Sequence, residues 1–238
     1  QTGNGRRKMN RCVNVISGLT GSGKSYILNQ LLELPEYQES IAIKMDDIRK
    51  KYWGDKLVTS KAEKIYRNEL TRNEIKTQLI VNGATIIFVE MPMLTRQNHQ
   101  EPFVEMIRDT ERYIQAIEKE IGGIQSGYQP SKVNLKVVLL YCDTTMVEKR
   151  LNRRKIGSGK DSSDILDFTI YPDIASQFEI PEQQTYIPLL VDTSVEREVE
   201  NKERFEEIKQ FLQGNKELSS EEFERRLSDL RCYLSQSI

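Results

Sequence analysis

Residues 18–25 read Gly18-Leu19-Thr20-Gly21-Ser22-Gly23-Lys24-Ser25, the pattern G-x-x-x-x-G-K-S. Glycines at these places let the backbone curl, so that successive N–H groups point at one phosphate group. The lysine brings a positive charge to that phosphate, and a serine hydroxyl at the last position can bind Mg²⁺. The stretch therefore predicts a phosphate-binding loop whose nucleotide-binding residues are Gly18, Thr20, Gly21, Ser22, Gly23, Lys24 and Ser25.

The residues on either side of this loop support the prediction. Residues 13–16 form a short apolar run, typical of a buried strand, and residues 26–32 have apolar residues at helical spacing. A phosphate would then lie at a helix N-terminus, where free N–H groups and the helix dipole favour an anion. The alternative, an ordinary Gly/Ser turn with a lysine beside it, does not require a strand before it and a helix after it.

Composition limits the classes of partner. The chain has 238 residues, a formal net charge of −1 and a pI of about 6.1. Such a balance gives no overall positive field, so nucleic acid is possible as a partner but not favoured, although a local basic groove stays open. No apolar run reaches transmembrane length, and Cys12, Cys142 and Cys232 are widely spaced. We expect a cytoplasmic protein with reduced, buried thiols and no membrane contact; a protein partner cannot be named.

The order of the segments predicts an α/β fold. Residues 1–10 are expected to be a flexible arm, residues 11–195 one domain, and residues 196–238 charged helices packed on its core. Within the domain, strands alternate with helices, which implies right-handed crossovers and a parallel sheet covered on both faces. Further strands are predicted at residues 41–45, 84–90, 133–141 and 189–192, and long helices at residues 59–81 and 103–121. Ligands of such sheets bind at the carboxyl ends of the strands.

Two carboxylates follow the second predicted strand, in Asp46-Asp47-Ile48-Arg49. A carboxylate there can accept a proton from a hydroxyl that attacks phosphorus, and an arginine three residues later can hold an anionic acceptor. We assign the first role to Asp46 and the second to Arg49. The alternative is that one aspartate caps the following helix, since Asp is a preferred N-cap residue, and we expect that one of the two does so.

Glu90 ends the strongest apolar strand of the chain, Ile86-Ile87-Phe88-Val89. Four apolar residues before an acid are typical of a second Mg²⁺-binding element, so Glu90 is predicted to bind the metal together with Ser25 or to orient the acceptor. The alternative is a carboxylate that is simply exposed where the strand leaves the sheet.

A basic segment follows the fourth predicted strand, with Arg150, Arg153 and Arg154 ahead of residues 157–160, Gly-Ser-Gly-Lys. Arginines on a mobile, glycine-flanked segment can close over a triphosphate and neutralise charge during transfer. We predict that Arg150 and Arg153 contact the nucleotide and that Arg154 acts in catalysis. The alternative is a solvated basic end of a helix, because cations suit helix C-termini.

These clusters, in this order, resemble a group of P-loop kinases that includes the kinase domain of phage polynucleotide kinase, chloramphenicol phosphotransferase and the zeta toxins. The similarity covers residues 13–191. It includes Lys44 to Arg49, Glu90 with Leu94-Thr95-Arg96, and residues 178–181, Phe-Glu-Ile-Pro. It implies a P-loop kinase-type sheet of about five parallel strands, with a helical C-terminal extension and with Arg96 in substrate binding. Polynucleotide kinases tend to have Asp-Thr where this chain has Glu90-Met91, whereas zeta toxins have Glu.

The resemblance implies an ATP- and Mg²⁺-dependent kinase with a hydroxyl acceptor. The near-neutral charge favours a small acceptor, such as the nucleotide-sugars of zeta toxins, over the 5′-hydroxyl of a polynucleotide. A regulatory ATPase without an organic acceptor is the rival from another class. The roles of Tyr52, Trp53 and His99 stay open: aromatic residues after the aspartate pair can stack on a base, but packing in the core is their commoner fate.

Overall fold

The computed structural model describes residues 10–54, 56, 60–92, 97–122, 130–156, 168–179 and 186–236. Five strands form one sheet in the order β2-β3-β1-β4-β5, and every neighbouring pair is parallel. Their bounds are β1 Arg11–Gly18, β2 Ile41–Lys44, β3 Ile86–Met91, β4 Val133–Tyr141 and β5 Leu189–Asp192. The predicted α/β class with about five parallel strands is confirmed.

Helices connect the strands and follow the last one. They are α1 Lys24–Leu32, α2 Met45–Trp53, α3 Lys61–Ile80, α4 Gln97–Gly122, α5 Thr144–Ile156, α6 Tyr171–Ala175, α7 Glu198–Gln213 and α8 Ser220–Gln236. Helix α4 begins six residues before the predicted start and contains Pro102 in its second turn. None of the helices in the described ranges is long and apolar enough to cross a membrane.

The central strand β1 shows why the sheet is covered on both faces. Side chains of successive strand residues point to opposite faces. Val13 and Val15 accordingly pack in one buried cluster with residues of α2, α3 and α4, whereas Ile16 packs in a second cluster with α1 and α7. All three of these side chains are fully buried. The phosphate-loop segment therefore leaves the middle of the sheet at its carboxyl edge.

Helix α2 begins differently from the expectation. Its N-cap is Lys44, in an extended conformation and without a side-chain cap, and Asp46 and Asp47 both lie in the first helical turn. The prediction that one aspartate caps the helix is wrong, because β2 passes directly into α2 and the cap position falls on the last strand residue. Both carboxylates are still close to the helix N-terminus, where the dipole favours negative charge.

The two C-terminal helices pack against the same sheet. Ile208 and Leu212 of α7 join the cluster of Ile16, and Phe223 of α8 joins buried residues of β4 and β5. Helix α8 is capped by a side chain, since Ser219 Oγ accepts a hydrogen bond from the Glu222 N–H. These clusters describe a helical C-terminal extension; the division of the chain at residue 195 stays a prediction.

The cysteines match the expectation only in part. All three are free thiols, but only Cys142 is buried, while Cys12 is partly buried and Cys232 is exposed on α8. Burial raises the pKa of the Cys142 thiol to about 11, so it stays protonated and unreactive near neutral pH. Within the described ranges, no group of three or more His, Cys, Asp and Glu side chains is arranged to hold a metal ion.

Candidate active site

The backbone of the phosphate loop requires its glycines. Gly18, Gly21 and Gly23 all have positive φ, at 147°, 78° and 89°. A Cβ atom on Gly18 would lie 2.3 Å from the carbonyl oxygen of Leu140, so no larger residue fits against β4. Gly23 is the N-cap of α1 and adopts the left-handed conformation. The first N–H groups of α1 have no intrahelical partner, as at any helix start, and suit an anion.

Lys24 lies among three other charged side chains. Its Nζ donates a hydrogen bond to the carbonyl oxygen of Leu19, 2.9 Å away across the loop. Burial lowers the pKa of Lys24 to about 8, while the charges of Glu90 and Asp46 work to raise it and that of Arg154 lowers it further. Desolvation thus outweighs the attraction of two carboxylates, and a bound phosphate would supply the negative charge that the ammonium lacks.

Ser25 and Glu90 meet at the carboxyl edge of the sheet. Ser25 Oγ donates a hydrogen bond to Glu90 Oε1 over 2.6 Å. Glu90 is paired in register with Lys44 of β2 and Ile16 of β1, so three strand ends converge here. Adjacent oxygen ligands of one octahedral Mg²⁺ lie about 2.9 Å apart, and Mg²⁺ prefers such hard oxygen ligands. The chemistry and spacing of this pair therefore fit a magnesium ion that also binds nucleotide phosphates.

The two neighbouring aspartates face different surroundings. Asp46 is half-buried and close enough to Lys24 to influence its pKa, whereas Asp47 is exposed. Successive residues of a helix point about 100° apart, so only one of two neighbours can face the loop. This geometry favours Asp46 as the carboxylate that reaches a reacting group.

Arg49 is much more buried than its predicted role requires. The residue is only 4% exposed, and its Nη1 donates hydrogen bonds to the carbonyl oxygens of Gly54 and Lys56, at 3.2 and 3.3 Å. These bonds hold the chain segment that follows α2. Arg96 and residues 157–160 lie outside the described residues, and His99 is half-buried in the first turn of α4.

Arg150 joins the phosphate loop to the end of β5. Its Nη1 donates to the carbonyl oxygen of Gly21 over 3.0 Å, and its Nη2 donates to that of Thr193 over 2.6 Å. Thr193 is buried, and its hydroxyl lies 3.0 Å from the carbonyl oxygen of Ser22. A planar guanidinium with several fixed donors suits such a junction of two backbone segments. The structure thus shows Arg150 in contact with the loop backbone.

The three arginines of α5 have three different environments. Arg153 is largely exposed and pairs with Glu196, its Nη1 lying 3.2 Å from Oε1, whereas Arg154 is close enough to Lys24 to lower its pKa. Residues four apart on a helix share a face, so Arg150 and Arg154 lie on the side towards the loop. The three arginines are close together in the sequence, and only the folded structure shows that their surroundings differ.

Sequence reasoning missed Thr193 and Glu196. Burial opposes ionisation of Glu196, but a hydrogen bond from Lys149 and the charges of Arg153 and Arg150 outweigh it and lower its pKa. Thr193 follows directly on β5 and Glu196 lies four residues beyond its end, at the sheet edge where ligands of such folds bind. Their position after the last strand is the signal that could have identified these two residues from the sequence, because no motif contains them.

No protein-family model matches the sequence, and the search of curated proteins found no match. Among solved structures, the chain is similar to a gluconokinase from Sinorhizobium meliloti 1021, with 15% identity and a TM-score of 0.51 over 88% of this chain and 97% of the other. Similarity to the Mycobacterium tuberculosis APS kinase CysC, in complex with AMPPNP and APS, has 15% identity and a TM-score of 0.51 over 86% and 98%.

Chaetomium thermophilum Kti12, in complex with ADP-AlF3, is similar with 15% identity and a TM-score of 0.52 over 82% of this chain and 96% of the other. Identities this low establish a shared fold only. The narrower resemblance to polynucleotide kinases, chloramphenicol phosphotransferase and zeta toxins stays a prediction. Sheet order, loop geometry and these neighbours agree: the chain has the P-loop kinase fold.

Proposed function

We propose that the protein is an ATP- and Mg²⁺-dependent phosphotransferase that moves the γ-phosphoryl group to a hydroxyl acceptor. The observation that carries the proposal is the arrangement around Lys24, where Asp46, Glu90 and Arg154 are close enough to influence one ammonium group. Phosphoryl transfer depends chiefly on alignment and on neutralising charge, and this set of side chains supplies both.

The phosphate-loop side of the site binds the donor. The loop amides and Lys24 hold the β- and γ-phosphates, and Ser25 with Glu90 would hold the magnesium ion. The ion neutralises charge on the phosphate oxygens when it is bound. Arg154 adds a positive charge near the transferred group, and Arg150 keeps the loop in place through the carbonyl oxygen of Gly21. Arg153 contacts the nucleotide only if its pair with Glu196 opens.

Asp46 acts on the acceptor. As the acceptor oxygen forms a bond to the γ-phosphorus, its proton passes to the Asp46 carboxylate, and the bond from phosphorus to the bridging oxygen breaks to release ADP. The proton, the bond formed and the bond broken are thus all accounted for, and the step needs no further reactant. The exposed neighbour Asp47 has no such role.

The acceptor class is the finer part of the proposal. The overall charge of −1 favours a small acceptor such as a nucleotide-sugar, as in zeta toxins, with a polynucleotide 5′-hydroxyl as the alternative. Arg49 and Arg96 are the proposed acceptor-binding residues. Arg49 would serve the acceptor indirectly, because its guanidinium holds the segment after α2.

A regulatory ATPase that transfers the phosphoryl group to water is the second candidate. The burial of Arg49 favours it, since hydrolysis needs no arginine to hold an organic acceptor. The donor side would work in the same way, with Asp46 or Glu90 orienting the water.

The test is to incubate the protein with ATP labelled in the γ-phosphate and with a panel of nucleotide-sugars, small alcohols and 5′-hydroxyl oligonucleotides. We expect label in one class of acceptor and none with Lys24→Ala, because that variant loses the loop's ammonium at the phosphates. If label is released only as inorganic phosphate, at a rate that no acceptor changes, the protein is an ATPase and the kinase proposal is overturned. Undiminished turnover in Lys24→Ala would overturn the whole site.

A further inference from the structure

Helices α2 and α3 present a cluster of aromatic and basic side chains, which we call the α2–α3 surface: Lys50, Lys51, Tyr52, Trp53 and Tyr66. The Trp53 ring contacts Tyr52 and Tyr66 edge to face, with centroids 6.1 and 5.9 Å apart. Lys51 Nζ lies 5.6 Å from the centroid of the Tyr52 ring. Two of these rings are open to solvent, since Tyr52 is 51% and Tyr66 is 55% exposed.

The charge of this region differs from that of the whole chain. Residues 44–67 contain eight Lys or Arg and four Asp or Glu, although the complete chain has a net charge of −1. Lys50, Lys51 and Lys64 are exposed. Of the carboxylates here, Glu63 is occupied by hydrogen bonds from Ser60 and by Lys56, whose Nζ lies 3.5 Å from it. The overall charge balance therefore conceals a local positive field.

The surface continues from the proposed catalytic carboxylate. Asp46, Lys50 and Trp53 are spaced i, i+4 and i+7, which places them on one face of α2. At 1.5 Å per residue, Trp53 lies roughly 10 Å along the helix from Asp46. A chain-like ligand with one end at Asp46 would thus pass Lys50 and reach the aromatic rings within one or two of its units.

Core packing does not account for these rings. An aromatic cluster that only stabilised the fold would bury its faces, whereas here Tyr52 and Tyr66 leave about half of their area in water. Single exposed aromatics are ordinary, and Tyr113 on α4 is an example at 56% exposure. Three contacting rings with lysines beside them are the combination by which proteins hold single strands: bases stack on rings, and phosphates meet lysines.

We propose that the α2–α3 surface binds single-stranded nucleic acid. Bases stack on Tyr52, Tyr66 and the accessible part of Trp53, while Lys50 and Lys51 meet the backbone phosphates. The binding surface stands on its own observations. The further step, that the strand presents its terminal hydroxyl to Asp46 and is the acceptor, rests on the proposed function. It would reverse the preference for a small acceptor that the overall charge suggested.

The chain contains a direct reporter of this surface, because Trp53 is its only tryptophan. Titration of the protein with a single-stranded oligonucleotide of about twelve nucleotides, without ATP, should quench its tryptophan fluorescence. The affinity should fall with salt, with a log–log slope of about 0.7 for each phosphate contacted. Replacing Lys50 and Lys51 together by Ala should reduce that slope by about 1.5. An unchanged tryptophan signal at saturating strand would overturn the proposal.

Variants of the aromatic residues test stacking separately from charge. We expect Tyr66→Ala to weaken binding of a fluorescently labelled strand between about 5-fold and 150-fold, the range for loss of one stacked base. Tyr113→Ala removes an equally exposed tyrosine from α4 and is the matched control. Inorganic polyphosphate, which has no bases, should compete weakly. Equal binding of polyphosphate and of the strand, or wild-type binding by Tyr66→Ala, would reduce the surface to a general anion or protein-binding patch and overturn the proposal.

Two measurements separate this inference from the kinase proposal. If a strand binds and quenches Trp53 but the protein labels no acceptor, nucleic-acid binding by the α2–α3 surface is supported and the kinase proposal is overturned. If the protein labels a small acceptor but binds no strand, the kinase proposal is supported and nucleic-acid binding is overturned. Label on the 5′-hydroxyl of the bound strand supports both.

Discussion

The proposed donor side of the site, around the phosphate loop, and the proposed acceptor side, on α2 and α3, are built differently. On the donor side, buried contacts hold the phosphate loop from several elements: Leu140 of β4 lies against Gly18, Val147 of α5 lies against Gly21, and Arg150 and Thr193 bind its carbonyl oxygens. On the acceptor side, α2 and α3 carry exposed rings and lysines. In the proposed kinase every reaction would use the same triphosphate, so the donor side can be rigid, whereas the acceptor side would have to match one particular compound.

Helix α3 shows the same contrast within one element. Its last two turns bury the apolar residues Ile75 and Leu79, whereas the polar residues Asn68 and Thr71 are buried near its middle. The chain enters β3 from the C-terminal end of α3, so the two polar residues lie nearer the carboxyl edge of the sheet than the two apolar ones. Buried polar groups cost stability unless they are hydrogen-bonded, and Thr71 Oγ1 donates to the carbonyl oxygen of Arg67 over 3.0 Å.

The largest expected effect distinguishes the two neighbouring aspartates, Asp46 and Asp47. We expect Asp46→Asn to lower turnover more than ~100-fold with nearly unchanged ATP affinity, because a general base acts on the chemical step. Asp47→Asn is the matched control and should have little effect. Steady-state rates and equilibrium nucleotide binding measure both quantities. A larger loss of turnover in Asp47→Asn would show that Asp47, and not Asp46, is the catalytic carboxylate.

A change at Arg49 tests whether acceptor use depends on the buried hydrogen bonds that hold the segment after α2. Arg49→Ala should lower the free energy of unfolding and weaken acceptor use, each by about 1.5–3 kcal/mol, because two carbonyl oxygens lose a charged donor. Slow ATP hydrolysis without acceptor should survive. Denaturant unfolding and both activities are measured in one preparation, and Arg49→Lys, which retains the charge, should lose less. Equal losses of hydrolysis and transfer would count against any role specific to the acceptor.

The pKa of Lys24 makes the donor side sensitive to pH. Without nucleotide, Lys24 loses its proton as the pH rises through about 8. Bound phosphates favour the charged form, so binding takes up a proton, and nucleotide affinity should fall about tenfold between pH 7 and pH 9. The free protein should instead gain stability in this range, because the unfolded chain keeps the proton to higher pH. Calorimetry in buffers of different ionisation enthalpy detects the proton uptake, and its absence would contradict the assignment.

The smallest effect is expected from a conservative change at the loop junction. Arg150→Lys keeps the charge but cannot bind Gly21 and Thr193 together, so the KM for ATP should rise about fivefold while kcat and acceptor KM stay nearly constant. Arg112→Lys, at an exposed arginine of α4, is the control and should change nothing measurable. A loss confined to kcat would place Arg150 at the transferred group instead of behind the loop.

Several features followed from local sequence alone. The glycines and Lys24 predicted the phosphate loop, and apolar runs predicted strands close to their observed bounds, because these features depend on residues adjacent in the chain. Asp46 and Glu90 were placed at strand ends by the same reasoning. The expectation for the N-cap of α2 failed because a cap depends on where β2 stops, and β2 stops at Lys44, where the pairing with Glu90 of β3 ends.

What the sequence determined by itself was therefore the glycine-rich loop between β1 and α1, the α/β class and the residue types of the candidate site. Only the tertiary structure decided that Arg150 and Arg154, but not Arg153, face the loop, that Arg49 is buried against backbone carbonyls, and that Thr193 completes the junction. It also showed that Tyr52 and Tyr66 stay exposed beside lysines. The physical reason is that burial and distant contacts depend on how helices pack across the sheet, and no local pattern specifies that packing.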